Sequence, residues 1–352
     1  MRFDCVITGG GLAGLIAVIS LQKEGRSTAI VSTGQNAMHF FSGTFESVKE
    51  APARLAEIFE AAGIKVHYSA GVRLMPMGTF REAELALGDV DIFPSEKFAS
   101  KALIVSFRGE QGLFTGFLAD GLEKAGIACR LAAIDRSSDI KKIAAAVSGL
   151  LDGEDAVLLP QVFGHKDSAD VEYLREAIPA KVVFAGTQPP SVPGIRTQMQ
   201  LKDYYISLGG TFLQGDEVTG AHVHDGVVHS VVTHNLDSHY LEADCFILAS
   251  GGFFSKGLLA TPTSVVEPVF GLDVDYPADR SEWYDPSFAA DQPYMRFGVK
   301  TDAAMHPMKA GEPVRNLYVA GSILGATCPE FGTGAGLAIR SAFAVVDSIL
   351  KP

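Results

Sequence analysis

An α/β chain with a parallel sheet is what the sequence predicts, and three observations carry it. A short apolar run, FDCVIT (3–8), meets three glycines, then an apolar stretch (12–23), then a second β-rich run, STAIVST (27–33). A strand–helix–strand unit of about 30 residues is the parallel crossover. A late apolar run, DCFILASGG (244–252), also ends in glycines. A third, NLYVAGS (316–322), leads through the glycine-rich FGTGAGLAI (331–339) into an apolar helix, AGLAIRSAFAVVDSIL (335–350). Together they describe a three-layer domain of the Rossmann type, interrupted by an inserted α/β segment and a cap-like segment.

The remaining elements follow in order. Gly25 stops the first helix. GQNAMHFFSGT (34–44) reads as a polar loop, 53–63 as a helix ending at Gly63, and 64–76 as a strand closed by Pro76. In the middle, KALIVSF (101–107) and DAVLLPQVF (155–163) are strand-like, while 117–126 and 167–178 are helical. TQPPSVPG (187–194) marks a proline-rich boundary before a helix at about 196–208. Residues 220–235 alternate around Asp225-Gly226, a hairpin signal. The stretch 256–310 is loop-rich.

Composition narrows the function. The 352 residues hold 29 basic and 41 acidic side chains, a net charge of −12. Such a chain repels phosphate backbones and anionic lipid, so a nucleic-acid partner or a polybasic membrane anchor is excluded. The 37 glycines, about a tenth of the chain against an ordinary ~7%, imply many tight turns or close backbone approaches to a ligand. Cys5, Cys129, Cys245 and Cys328 share no short ligand spacing, so no metal or iron–sulfur site is expected. Cys5 to Gln22 is uncharged over 18 residues, yet it opens with a β-rich run and a glycine cluster. It reads as strand, turn and buried helix, with no leader. A cytoplasmic chain is the expectation.

The chemistry starts at Gly9-x-Gly11-x-x-Gly14, between a strand and a helix. Gly9 allows the tight turn, Gly11 lets a phosphate approach the backbone, and Gly14 lets the helix pack on the strand. The phosphate then meets free N–H groups at a helix N-terminus. An acid about 20 residues on normally holds the ribose of a dinucleotide. Here Ser32-Thr33-Gly34 stand in its place. Ser32 becomes the candidate there, and the missing carboxylate argues for FMN over FAD. The late elements point to a flavin rather than a nicotinamide. Gly251, Gly321 and Ser322 close strands, and Gly332, Gly334 and Gly336 open a helix whose N–H groups suit the negative edge of a reduced flavin. The expected division is a flavin-binding domain from 1–76, 195–255 and 311–352, an inserted α/β domain at 77–194, and a cap-like segment at 256–310.

The chain resembles the B-subunit family of the anaerobic glycerol-3-phosphate dehydrogenase. The resemblance rests on MRFDCVITGGGLAGLIA (1–17), GQNAMHFFSGT (34–44), QPPSVPGIR (188–196), GDEV (215–218), LASGGFFSKGL (248–258), EPVFGLDV (267–274), EWY (282–284), FGVKTD (297–302) and NLYVAGSILG (316–325). It implies a flavoprotein subunit, described for the family as using FMN. The family's complex oxidises sn-glycerol 3-phosphate to dihydroxyacetone phosphate and passes electrons toward quinone, then fumarate or nitrate. The resemblance also implies a partner flavoprotein subunit and a membrane-linked iron–sulfur subunit, which would hold the chain peripherally at the inner membrane. Two other readings are a non-catalytic relay or assembly subunit, and a stand-alone flavin reductase of the fumarate-reductase kind.

Other polar residues are weighed one at a time. His39, Ser42 and Gly43 lie in the loop that in related flavoproteins lies against the flavin, and the other reading of His39 is a plain turn-stabilising residue. His39 and Arg280 are the catalytic candidates, although no residue stands in a matched pocket motif as a base. Arg280, Arg296, Lys300, His306 and Lys309 are candidates for a substrate phosphate, against the plainer reading of solvated loop charges. His222, His224, His229, His234 and His239 surround the hairpin without acids or cysteines of metal spacing, which favours exposed strand residues.

Overall fold

The computed structural model describes residues 1–45, 52–237, 239–287, 290–327 and 334–351. It divides into two compact units: Met1–Met38, Ser47–Ala62 and Gln198–Pro352 form the first, and His39–Glu46 with Gly63–Thr197 form the second. Strands are numbered β1–β20 and helices α1–α7 along the chain.

In the first unit β1 (Arg2–Thr8), α1 (Leu12–Lys23) and β2 (Thr28–Ser32) make the expected crossover. With β10 (Thr211–Gln214), β11 (Val218–His224), β12 (Val227–Thr233) and β13 (Leu241–Leu248) they build a sheet ordered β10-β2-β1-β13-β12-β11; β20 (Leu317–Val319) pairs with the end of β13. All pairings are parallel except those made by β12. Alternate residues serve the two faces. Val6, Val31, Phe246 and Leu248 pack with the β11–β12 hairpin and with Phe270, Leu272, Val299 and Ile323. Ile7, Ile30 and Ile247, the residues that alternate with these, are fully buried on the face that α1 covers. Residues Leu12–Leu21 of α1 are all buried, because α7 (Gly334–Leu350) packs on its outer side. Each buried Leu or Ile there contributes about 1.5–3 kcal/mol. Ser20, the polar residue inside this helix, donates its hydroxyl to Ile16 O at 2.7 Å. The unit also holds α2 (Pro52–Ala61) and part of α6 (Val192–Ser207). Three two-stranded ladders complete it: β14 (Leu259–Ala260) with β15 (Val265–Val266), β16 (Val274–Asp275) with β17 (Gly298–Val299), and β18 (Met308–Lys309) with β19 (Glu312–Pro313).

The second unit has two sheets. One is antiparallel, β3 (Thr44–Phe45), β5 (Phe80–Leu87) and β4 (Val66–Leu74) in that order. The other is fully parallel: β7 (Ala128–Ile134), β6 (Lys101–Phe107), β8 (Ala156–Pro160) and β9 (Lys181–Ala185). Leu103, Val105, Val157, Leu159 and Phe184 face α4 (Ile140–Ser148) and α5 (Ala169–Ala177). Ala102, Ile104, Leu158 and Val183 face α3 (Thr115–Lys124) through Leu118 and Leu122. The helices thus cover both faces. The order places β6 beside β8, the point where the winding reverses and where open α/β sheets bind ligands at the carboxyl ends of their strands.

Most elements read from the sequence are present. The hairpin turns at Asp225 (φ 50°) and Gly226 (φ 70°), the left-handed pair that a two-residue turn needs. The structure corrects three readings. The helix expected from about 196 starts at Val192, since Pro193 fits a first helical turn that has no hydrogen bond to lose. The polar loop at 34–44 contains a 3-10 turn, Asn36–Phe40. The middle holds β5, β7, α4 and β9 as well, so its parallel sheet is twice as wide as the two strands read there.

Candidate functional site

At the carboxyl edge of the first unit's sheet the backbone packs tightly on itself. A Cβ on Gly9 (φ +117°) would stand 2.2 Å from Ala249 O, so the turn after β1 presses on the end of β13. A Cβ on Gly14 would stand 2.0 Å from Gly9 O and 3.3 Å from Ile30, so only glycine lets α1 lie this near β1 and β2. Gly11 is the opposite case. Its φ of −79° suits any residue, and among the described residues nothing lies within 4 Å of a Cβ built there. Gly11 caps α1, no side chain bonds to that cap, and no acid sits in the first turn. Among the described residues no capping side chain meets the first N–H groups or the positive end of the helix, the arrangement that holds a phosphate.

The other glycines gather at the same edge. Gly321 follows β20; a Cβ there would be 3.1 Å from Ala13 of α1. Its N–H donates to Ser341 Oγ at 2.8 Å, which ties α7 to the end of β20. Gly251 follows β13 beside Ser322, with 3.6 Å from a built Cβ to Ser322 Oγ. Gly334 opens α7 with nothing within 4 Å of a built Cβ among the described residues, and Gly336, two residues on, is buried. Gly332 lies outside the described residues. Sequence reading missed Ser250, between β13 and Gly251. Its hydroxyl is buried with no hydrogen-bond partner among the described residues. An orphaned hydroxyl next to an open helix start fits a polar ligand along this edge.

Ser32 is buried at the end of β2, and its Oγ donates to Gly34 O at 2.9 Å. Beside it a cavity of about 190 Å³ is lined by Ser32, Gly34, Gln198, Lys202, Phe212 and Gln214. Gln198 reaches over from α6 and donates Nε2 to Gly10 O at 2.6 Å and Gly34 O at 3.3 Å. A carboxamide thus stands where the sequence lacks a carboxylate.

His39, Ser42 and Gly43 fall in the second unit. Gly43 (φ +85°) packs on Val90, 2.6 Å from a built Cβ. Ser42 Oγ lies 3.1 Å from Thr44 Oγ1. His39 and Ser42 line a cavity of about 320 Å³ together with Arg73, Gln161 and Thr187. A larger cleft of about 790 Å³ opens at the carboxyl ends of β6–β9, among Phe107, Glu110, Arg136, Phe163, His165 and Asp170.

Most cations of the late loops are engaged. Arg280 donates to Thr261 O at 2.8 Å and lies over the Trp283 ring, Lys309 donates to Phe270 O at 2.7 Å, Lys300 is 3.8 Å from Asp275, and His306 is 3.1 Å from Asp302. Arg296 is exposed in a 3-10 turn. His222 Nδ1 meets Ser230 Oγ at 2.8 Å. Among the described residues no three His, Cys, Asp or Glu side chains gather as a metal site, and no helix is long and apolar enough to cross a membrane. Burial pushes the Cys5 thiol up beside Cys245, its cross-strand neighbour, and pushes Cys129 to about 11, so neither is a thiolate at neutral pH.

Comparison with known proteins fits this geometry. The FAD binding domain family model matches residues 4–90 and 94–338. The anaerobic glycerol-3-phosphate dehydrogenase B-subunit of Pectobacterium atrosepticum is 32% identical over 417 aligned positions, which take in all of this chain and 99% of the relative. That of Yersinia enterocolitica is 30% identical over 418, with the same coverage. The chain belongs to the B-subunit family of the anaerobic glycerol-3-phosphate dehydrogenase. Its fold is the flavin-binding Rossmann type, and this family is one of flavin-dependent oxidoreductases. Among solved structures, the 3-ketosteroid-delta4-(5alpha)-dehydrogenase of Rhodococcus jostii RHA1 superposes with a TM-score of 0.44 at 11% identity, over all of this chain and 97% of that one.

Proposed function

We propose that this chain is a flavoprotein subunit of a quinone-linked glycerol-3-phosphate dehydrogenase, oxidising sn-glycerol 3-phosphate to dihydroxyacetone phosphate. It works in a complex with a second flavoprotein subunit and a membrane-linked iron–sulfur subunit, through which it meets the inner membrane. The observation that carries the reading is the open helix start at Gly11, wedged between two glycines that tolerate no side chain, in a chain of this family. The N–H groups of α1 would hold the flavin phosphate, and Ser250 Oγ would donate along the same edge. A bound flavin supplies the two-electron acceptor for the hydride that leaves C2. The hydroxyl proton needs a base, and His39 is our candidate, because it lines a cavity while Arg280 is occupied with Thr261 and Trp283.

For the flavin we favour FAD over FMN. The absent carboxylate after β2 argues for FMN, but the cavity beside Ser32 and the carboxamide of Gln198 give an adenosine a place and a hydrogen-bonding group. The test is to purify the full chain with and without its partners, weigh the released cofactor by mass spectrometry, and assay glycerol 3-phosphate with an artificial acceptor. Stoichiometric FAD and turnover in the complex are expected. FMN would restore the weight of the missing acid, and flavin without turnover in the complex would make the chain a relay subunit.

A further inference from the structure

The 320 Å³ cavity of the second unit has a chemical character that its neighbours lack. Among the described residues its walls hold one guanidinium, Arg73, and one imidazole, His39, and no carboxylate, in a chain whose net charge is −12. The larger cleft of the same unit carries Glu110 and Asp170. Arg73 sits in β4 with 4% of its surface exposed and donates Nη1 to Thr44 Oγ1 at 3.3 Å. Gln161 follows β8 at the carboxyl edge of the parallel sheet. Its backbone N–H pairs with Ala185 O at 2.9 Å, which holds the residue in strand geometry. Its side chain is 5% exposed, and Nε2 has no acceptor among the described residues. A buried amide left without a partner is destabilising unless something else supplies the acceptor. A guanidinium beside a neutral donor suits a multidentate oxyanion, whose charge-assisted bonds are the strong ones. The volume is in the range of small-molecule sites.

We propose that this cavity binds the phosphate monoester of the substrate, with Arg73 and Gln161 as its donors. The assignment rests on the glycerol 3-phosphate reading given above. The site itself requires only a phosphate. Its donors come from β4 and from the end of β8, not from the late-loop cations that the sequence offered for the same task.

Calorimetric titration of the full chain with inorganic phosphate, glycerol 3-phosphate and glycerol tests the proposal. Both phosphates are expected to bind and glycerol is not. Gln161→Leu should weaken phosphate binding about fivefold or more while the melting temperature holds or rises, since it removes an unsatisfied buried amide. Gln161→Glu sets a carboxylate against the anion and should abolish binding. A residue that only supports the fold would show the reverse, a lower melting temperature with affinity intact. Absence of phosphate binding by the native chain, or affinities unchanged in both variants, overturns the proposal. Phosphate bound without any oxidation of glycerol 3-phosphate in the complex would sink the activity reading and leave the anion site standing. Oxidation at an unchanged KM in Gln161→Glu would do the opposite.

Discussion

In the first unit three parallel strands run on into glycine: Gly9 follows β1, Gly251 lies three residues past β13, and Gly321 two past β20. In the second unit side chains line the corresponding ends: Gln161 follows β8, Thr187 and Gln188 lie past Gly186 after β9, and Arg136 lies two past β7. The helices differ in the same sense. α1 is buried from Leu12 to Leu21, whereas α3 buries Leu118 and Leu122, and α5 buries Val171 and Leu174. An edge of glycines offers N–H groups and close approach, which serve a cofactor's phosphate chain whatever its substituents. An edge of side chains selects by charge and shape, which serves a substrate. The same sheet logic thus produces one general and one selective surface.

The sharpest way to break the comparison is at Gly14. Alanine there gains up to ~1 kcal/mol of helix propensity, but its Cβ would stand 2.0 Å from the Gly9 carbonyl. Overpacking against backbone outweighs that gain, and a loss of about 4 kcal/mol or more is expected, seen as loss of folded protein in circular dichroism. Gly11→Val, three residues earlier, is the control that separates ligand from fold. Its side chain meets none of the described residues, so the melting temperature without cofactor should hold while flavin absorbance disappears. Retained flavin would make the glycine motif a packing device only.

The second unit breaks through a side-chain pair instead. Asp89 and Arg196 are 2% and 7% exposed, with Asp89 Oδ2 2.7 Å from Arg196 Nη2. Their contact is electrostatic rather than an aligned hydrogen bond, and Arg196 spends Nη1 on Gly164 O at 2.5 Å. Asp89→Ala leaves a buried guanidinium without its counter-charge and should cost about 3–5 kcal/mol in denaturant unfolding. A change below ~1 kcal/mol would mean that water reaches the pair.

The smallest expected effect is a pH slope. Burial pushes the Glu267 carboxyl above its ordinary value of 4.5, although the N–H groups of Val269 and Phe270 donate to it at 2.9 and 2.7 Å. The folded chain therefore holds this proton more tightly than the unfolded chain. The resulting stability is complete below pH 4.5 and is lost as pH rises through the folded value. Glu267→Gln should flatten the melting temperature across that window. An unchanged slope would assign it to another group.

How much of this was legible follows from where the information sits. α1 was readable to its last residue because its apolar run, Gly11 and Gly25 are all local. The hairpin was readable from Asp225-Gly226 for the same reason. β5 was not: FREAELAL is composed of good helix formers and becomes a strand because β3 and β4 pair with it on both sides. β7 was hidden by its half-exposed edge position, where polar and apolar residues do not alternate cleanly. The glycine edge of the site was visible as a motif. Arg73 and Gln161 were not, because each is an ordinary residue of its own segment and only the fold puts them on one cavity wall.

The place of β1 in its sheet has a consequence for a cell that makes this chain. β1 lies between β2 and β13, and β13 leaves the ribosome only after the whole of Gly63–Thr197 has been made. The second unit then has all four parallel strands while β1 still shows one bare edge to solvent. Units fold as they emerge, and pairing across long sequence separations is slow. Until residue 248 is out, that edge is an open template for a strand from any neighbouring nascent chain.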